Sequence, residues 1–397
     1  MQTVPAGEIA ERLVSFQALL AGNNIDAAVI RQNADLFYFT GTVQDSHLIV
    51  PASGRPVLLV RRTVERAFAE SPIRPIVPMK SLGELKDALF DACGTQKPEK
   101  IGFELDVLPA NTFFTYDEKV FPQQHLIDIS MLIRQLRAIK SSWEIDRMRR
   151  TAEIARVVAD SVPLLLRPGM VELDLHAELE AIARKAGNTG AVRIRSFNLE
   201  MDFGHILSGP NAAVPSYSDS PTGGSGLSPA FGQGSGDRRI GAGEIVSVDI
   251  MFCRDGYLND QTRNYCIGPP PRRLADAYKF VKSANERVRE LARPGTVTGE
   301  LYETVRRWAD KAGWGKWFMG HKEPRVTFIG HGIGLEVDEF PFIAAGQKQV
   351  LREGMVFAFE PKVVIPEDGV AGLENTYVVT SQGLESLNTA TEELVII

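Results

Sequence analysis

The run EIVSVDIMFCRDGYLNDQTRNYCIG, residues 244–268, restricts the fold more than any other part of the chain. Two alternating stretches flank Asp255-Gly256, a dipeptide that favours a two-residue hairpin turn because both of its residues tolerate positive φ. Closing the turn there pairs Arg254 with Tyr257 and brings Met251 opposite Asp260. Strand alternation sets Val246, Val248 and Ile250 on one face, with Ser247, Asp249 and Met251 on the other. Asp249 and Asp260 then share a face one diagonal step apart, with Cβ atoms roughly 7–8 Å from each other. Carboxylates so placed in an apolar run repel, and their burial is costly unless a cation lies between them.

Glu360 in FAFEP and Glu374 in GLENTYVV repeat the anomaly, interrupting strand-like runs of Phe, Val and Tyr. His331 stands between glycines in TFIGHGIGLEVDEFP, in a chain with six histidines. Singly, each has an ordinary explanation: Asp249 pairing with an arginine, Glu374 capping a turn, His331 hydrogen-bonded in the core. Together Asp249, Asp260, His331, Glu360 and Glu374 read as a metal site. Four carboxylates, two divalent cations and a bridging hydroxide leave a net charge near −1. Oxygen-rich ligands with a single imidazole favour Mn first, with Co, Zn or Fe(II) as alternatives. Arg263 is expected to neutralise the acidic shell, Tyr257 to pack, and Asp255 to serve the turn.

The rest of the chain supplies context. At 397 residues it is long enough for two or three domains, or a large domain with a smaller companion. Hydrophobic residues at 44% and charged residues at 24% are those of an ordinary globular protein. The net charge of −6 and isolated basic pairs such as Arg61-Arg62 argue against a nucleic-acid partner. The start reads as an amphipathic helix rather than a leader, and no window is apolar enough for a membrane span. Cys93, Cys253 and Cys266, odd in number and far apart, predict buried thiols and a cytoplasmic setting.

DAAVIRQ, SHLIVPA, PVLLVRR and KIGFELD read as strands and GELKDALFDAC as a helix, which makes a compact α/β first domain. A boundary near Arg137 gives domains of 1–137 and 138–397, the second opening on a helix that Ser141 or Ser142 caps. LDLHAELEAIARKAG is a further helix with Gly187 as its C-cap. The Gly, Ser and Pro-rich stretch after it is long enough to be functional or mobile. GMVFAFEPKVVIP and LENTYVVT read as strands, and two more helices lie near LADAYKFVKSANERVRELA and TGELYETVRRWADKAG.

The order Asp, eleven residues to Asp in DIMFCRDGYLNDQTRN, then GHGIGLEVDEFP, FEP and GLENTYVVT resembles the creatinase/aminopeptidase P/prolidase group of the pita-bread superfamily. LRAIKSSWEIDRMR is similar to the helix that opens that catalytic domain, and NADLFYFTGT resembles a motif of the creatinase-type N-terminal domain. The resemblance implies an α+β protein with a C-terminal pita-bread domain, and a dinuclear metal-dependent hydrolase acting on small Xaa-Pro peptides. Asp249 and Glu374 would bridge or chelate, Asp260 would join both ions, and His331 with Glu360 would complete the shell. Glu360 would also take the proton of the attacking water, and the protein would be a homodimer.

Three positions depart from the family's pattern: Ser216, Asp338 and Gly372 stand where its peptidases carry His, His and Arg. Asp338 is a substituted proton carrier, an anchor for a substrate amine, a surface acid, or a partner to a nearby arginine. His205 in DFGHILSG is a substrate or proton-transfer group, or a hydrogen-bonded structural residue. Two further function classes stay open: a relative acting on another small C–N compound or as a lyase, and a non-catalytic binding module.

Overall fold

A computed structural model describes residues 3–94, 97–323 and 325–397. The chain divides into two compact units, Met1–Arg137 and Ala138–Ile397. The first runs α1 (Ala6–Gly22), β1 (Ala27–Ile30), α2 (Asn33–Thr40), β2 (Ser46–Pro51), β3 (Val57–Val60), α3 (Val64–Glu70) and β4 (Ile76–Pro78). It continues through α4 (Gly83–Cys93), β5 (Lys100–Phe103), α5 (Ala110–Thr115), β6 (His125–Asp128) and α6 (Ser130–Ala138). Among the described residues the strands form one mixed sheet in the order β4-β3-β2-β1-β5-β6. Val29, Leu59, Ile101 and Phe103 of the sheet pack with Leu85 and Leu89 of α4. Asp35 is fully buried, and Arg137 Nη1 holds it at 2.6 Å.

The second unit opens with α7 (Ser142–Leu165), α8 (Glu172–Lys185), β7 (Gly204–Ser208), β8 (Ile245–Arg254), β9 (Tyr257–Cys266), α9 (Arg272–Leu291) and α10 (Thr298–Lys311). Then come β10 (Phe328–Ile333), β11 (Val337–Ala344), β12 (Val356–Phe359), β13 (Lys362–Ile365), β14 (Gly369–Gly372), β15 (Asn375–Thr380), β16 (Gly383–Ser386) and β17 (Val395–Ile396). Ser141 starts α7 as a capping box: its hydroxyl accepts from Glu144 N, and the Glu144 carboxylate accepts from Ser141 N. At the end of α8 the C-cap is Ala186, still in helical geometry, and the expected Gly187 follows one residue later with φ 104.

The sheet orders are β17-β9-β8-β7 and β11-β10-β12-β15-β16, with β13-β14 as a separate hairpin. Val246, Val248, Ile250 and Phe252 turn toward Ile154 and Val158 of α7 and Leu175 and Leu179 of α8. Phe357, Val363 and Tyr377 turn toward Leu274 and Val281 of α9 and Val305 of α10. Helices therefore cover one side of each sheet, and the polar sides are left to meet. Thr376 Oγ1 links them, accepting from Asp260 N at 3.1 Å and donating to Asp260 O at 3.0 Å.

The β8–β9 register is the one the turn dictates, with Arg254 paired to Tyr257 and Met251 to Asp260. Asp255 and Gly256 both take positive φ, 53° and 86°. The expected continuous strands around Glu360 and Glu374 are different. GMVFAFEPKVVIP breaks into β12 and β13, because Pro361 has no N–H to extend the ladder. Glu374 likewise falls in the gap between β14 and β15. Both acids sit where the chain leaves one sheet for another.

Cys93, Cys253 and Cys266 are free thiols. Among the described residues no helix is long and apolar enough to cross a membrane. Ile250, 1% exposed against α7 and α8, gives a direct check of the strand parity that aims Asp249 the other way. Ile250→Ala is expected to lower unfolding free energy by about 2–5 kcal/mol, measured by urea denaturation.

Candidate metal centre

Asp249, Asp260, His331, Glu360, Glu374, Asp338 and His205 all line one cavity of about 280 Å³. The hairpin delivers Asp249 and Asp260, β10 delivers His331, and the two strand breaks deliver Glu360 and Glu374. Glu360 is fixed by its N–H donating to Ile329 O at 2.9 Å, and Glu374 by its N–H donating to Thr262 O at 3.3 Å. Asp260, His331 and Glu374 each offer one ligand atom, and these atoms lie within 4.8 Å of one another.

The donor chemistry fits a divalent cation. Asp260 Oδ1 and Glu374 Oε1 are buried and have no hydrogen-bond partner among the described residues. A carboxylate oxygen left so is costly, and a hard cation satisfies it directly. His331 points Nε2 into the cluster, 3.6 Å from Glu360 Oε1 and 3.9 Å from Asp260 Oδ2. Its Nδ1 looks the other way, 3.7 Å from Asp338 Oδ1. That separation exceeds a hydrogen bond, so the Asp338 carboxylate, one-third exposed, acts on the ring through its charge.

A residue the sequence reading passed over lies at the centre. Lys362 is 1% exposed, and its Nζ lies 2.5 Å from Glu360 Oε2, 3.0 Å from Asp249 Oδ2 and 3.8 Å from Glu374 Oε2. The signal was available: a charged residue two positions beyond Glu360 in an otherwise apolar run poses the same problem as Asp249. Thr262 was also missed. It follows Asp260 by two residues on the same face, and its hydroxyl donates to Glu374 Oε2 at 2.7 Å.

Arg263 does not neutralise the acids, contrary to expectation. It shares its face with Val248, away from Asp260 and Thr262. Its guanidinium donates to the backbone oxygens of Thr262, Glu374 and Ala390 and to Asn375 Oδ1. Tyr257 packs, its hydroxyl donating to Glu144 Oε1 at 3.0 Å. Glu339, next to Asp338, is structural: it accepts from Leu335 N and Glu336 N and pairs with Lys140. Ser216 spends its hydroxyl on Gly232 O at 2.6 Å.

Charge in so small a space shifts the acids apart. Burial, then the charge of Asp249, pushes Asp260 up to about 8. Burial and Asp260 likewise raise Glu374 well above the carboxylate range. Burial would also raise Asp249, but Lys362 and His205 outweigh it and hold that carboxyl low. Burial pulls His331 down, and Asp338, Glu360 and Asp260 more than restore it. Burial keeps His205 low. Lys362 stays firmly an ammonium: burial opposes its charge, and Asp249, Glu360 and Glu374 overcome that.

The description "Metallopeptidase family M24" matches residues 146–381, more than half of the chain. The chain belongs to metallopeptidase family M24. Residues 12–139 match the creatinase/prolidase N-terminal domain, so the α+β architecture is the family's two-domain arrangement. The M24 chain is 26% identical to the Xaa-Pro dipeptidase of Pyrococcus furiosus over 97% of its own length and 99% of the relative's. It is 28% identical to a probable dipeptidase PepE of Mycobacterium tuberculosis, over 98% and 96% of the two chains. Among solved structures it resembles an Xaa-Pro dipeptidase from Bacillus anthracis, with TM-score 0.83 and 25% identity over 98% and 100% of the two chains. A prolidase from Pyrococcus horikoshii gives TM-score 0.80 and 26% identity over 97% and 100%.

The raised Asp260 fixes the sign of the pH response. Between about 4 and about 8 the folded carboxyl keeps a proton that the unfolded chain releases, so its contribution to stability is lost as pH rises through that window. Thermal midpoints of chelator-treated protein should therefore fall across it. A cation must displace the same proton, so Mn(II) binding should release acid and tighten as pH rises toward about 8, read by calorimetry in buffers of different ionisation enthalpy.

Proposed function

We propose that this M24 protein is a metal-dependent hydrolase of small Xaa-Pro peptides. The observation that carries the reading is the convergence of Asp260, His331 and Glu374, with two carboxylate oxygens unpaired among the described residues, in the lining of one cavity. The names of its relatives, Xaa-Pro dipeptidase and prolidase, support the substrate class. Asp249, Asp260, His331, Glu360 and Glu374 are the residues that would hold divalent cations. A divalent cation there supplies a Lewis acid for the peptide carbonyl and makes water acidic enough to attack it.

The chain's own groups do the rest. Glu360 reaches into the acid cluster with Oε1 and takes the proton of the attacking water, while Oε2 stays on Lys362. His205 lines the cavity from β7, opposite Asp249 in the strand register, and burial keeps its ring neutral, so that it can hydrogen-bond substrate; the proton that Glu360 takes from the water is the one passed to the leaving nitrogen. Asp338 sets a negative charge beside His331 Nδ1, which is hydrogen-bonded to Gly332 O at 3.3 Å, and offers its open side to a substrate amine. Phe231, Phe328, Val337, Met201 and Leu227 give the cavity an apolar wall suited to a pyrrolidine ring.

We also propose manganese as the working ion, because the donor set is mostly carboxylate oxygen. A cytoplasmic homodimer is proposed with it. The free thiols support the compartment.

One observation favours a second reading, a relative that cleaves another small C–N compound. Among the described residues lining the cavity, Lys362 is the one Lys or Arg, and its ammonium is committed to carboxylates. A dipeptide's carboxylate therefore finds no uncommitted Lys or Arg among the described lining residues, whereas Asp202, Asp219 and Asp338 face the same space.

Xaa-Pro dipeptides, longer Xaa-Pro peptides and non-proline controls, each assayed with Mn(II) and with Co(II), separate the two. Turnover confined to Xaa-Pro bonds supports the peptidase, and none across the panel moves the assignment to the second reading. Asp260→Asn should abolish both metal retention, measured by elemental analysis, and hydrolysis.

A further inference from the structure

The five acidic and imidazole ligands suffice for a pair of cations, yet Lys362 already presents a positive charge to three of them. The cluster has two distinct ends. At one, Asp260, His331 and Glu374 converge, and Asp260 Oδ1 and Glu374 Oε1 have no hydrogen-bond partner among the described residues. At the other, Asp249 Oδ2 and Glu360 Oε2 are bonded to the lysine ammonium. The first end leaves two buried carboxylate oxygens unpaired among the described residues, and the second is paired by a positive charge that the chain itself supplies.

The ammonium is built into its position. Lys362 starts β13, where its backbone N–H lies 3.3 Å from Met319 Sδ and its carbonyl accepts from Met319 N at 2.9 Å. Directly across the β13–β14 ladder stands Gly372. A Cβ at that glycine would lie 3.0 Å from Lys362 Cγ, 3.6 Å from Cδ and 3.5 Å from Cε. The missing side chain at Gly372 opens the lane along which the lysine stem reaches the acids. A buried ammonium must keep carboxylate partners, so it competes with a cation for Asp249 and for the near oxygens of Glu360 and Glu374.

We propose that Lys362 takes the place of one cation, so that this chain holds a single divalent ion tightly, on Asp260, His331 and Glu374. The inference rests on the metal-centre reading given above. The formal charge is compatible: four carboxylates, one ammonium and one divalent ion sum to −1, whereas a second divalent ion beside the lysine would bring the cluster to +1. Lys362 in this role is a positioning residue, holding Asp249 and Glu360 in place of a second ion.

The test is stoichiometry. Purified full-length protein is stripped with chelator, reloaded with excess MnCl2, desalted and measured by elemental analysis, with EPR of the retained Mn(II). One equivalent per chain with the spectrum of an isolated ion is expected, rising to two with the signature of a spin-coupled pair in Lys362→Ala. Two tightly held ions in the wild type would overturn the inference and leave the metal-centre reading intact. None in the wild type would overturn both. The wild-type measurement decides even if the variant does not fold, and a folded Lys362→Ala that stays at one equivalent would also overturn the role given to Lys362.

Discussion

Mutual repulsion among Asp249, Asp260, Glu360 and Glu374 is the constraint around which the second unit is built. Four carboxyl groups share one cavity with an imidazole; Asp260, Glu360 and Glu374 are buried, and Asp249 is 17% exposed. At about 4 Å two unit charges interact by roughly 4 kcal/mol at the effective dielectric found near protein sites. Several such terms at once rival the whole net stability of a domain, about 5–15 kcal/mol. The fold meets them with protons on Asp260 and Glu374, with the Lys362 ammonium, and with a geometry that suits added cations.

That geometry follows from the layering. Each sheet buries an apolar face against helices, α7 and α8 on one side and α9 and α10 on the other. Period-two alternation then obliges the intervening residues to face the opposite sheet. Asp249, Asp260 and Thr262 reach the centre by that rule, and Thr376 ties the sheets together through both backbone groups of Asp260. The ligands are therefore anchored by the same contacts that hold the core. Residues that shape the cavity, by contrast, come largely from the loops around β7 and the long segment after it, where sequence can vary without disturbing the core.

Much of this was legible in the sequence where local rules operate. Asp255-Gly256 specified the hairpin and its register, and Ser141 with Glu144 specified the start of α7. The acids stood out because charge in a strand demands an explanation. Reading failed where the chain changes sheets. Pro361 resets the alternation, so Glu360 and Lys362 could not be placed by counting, and attention to acids hid the base between them. The error over Arg263 was avoidable, since it lies between Asp260, Thr262 and Asn264 in a strand and must project from the opposite side. α2, α3 and α5 in the first unit are short, and little in their periodicity separates them from loop.

Gly372 carries a consequence for substitution within the hairpin. A Cβ at Gly372 would press on the stem of Lys362 at 3.0 Å, so a side chain there makes the lysine give way. A large side chain at position 372 and the inward path of Lys362 therefore compete for the same space. The hairpin trades bulk on one strand for reach on the other, and the positive charge at the acids depends on a glycine that never touches them.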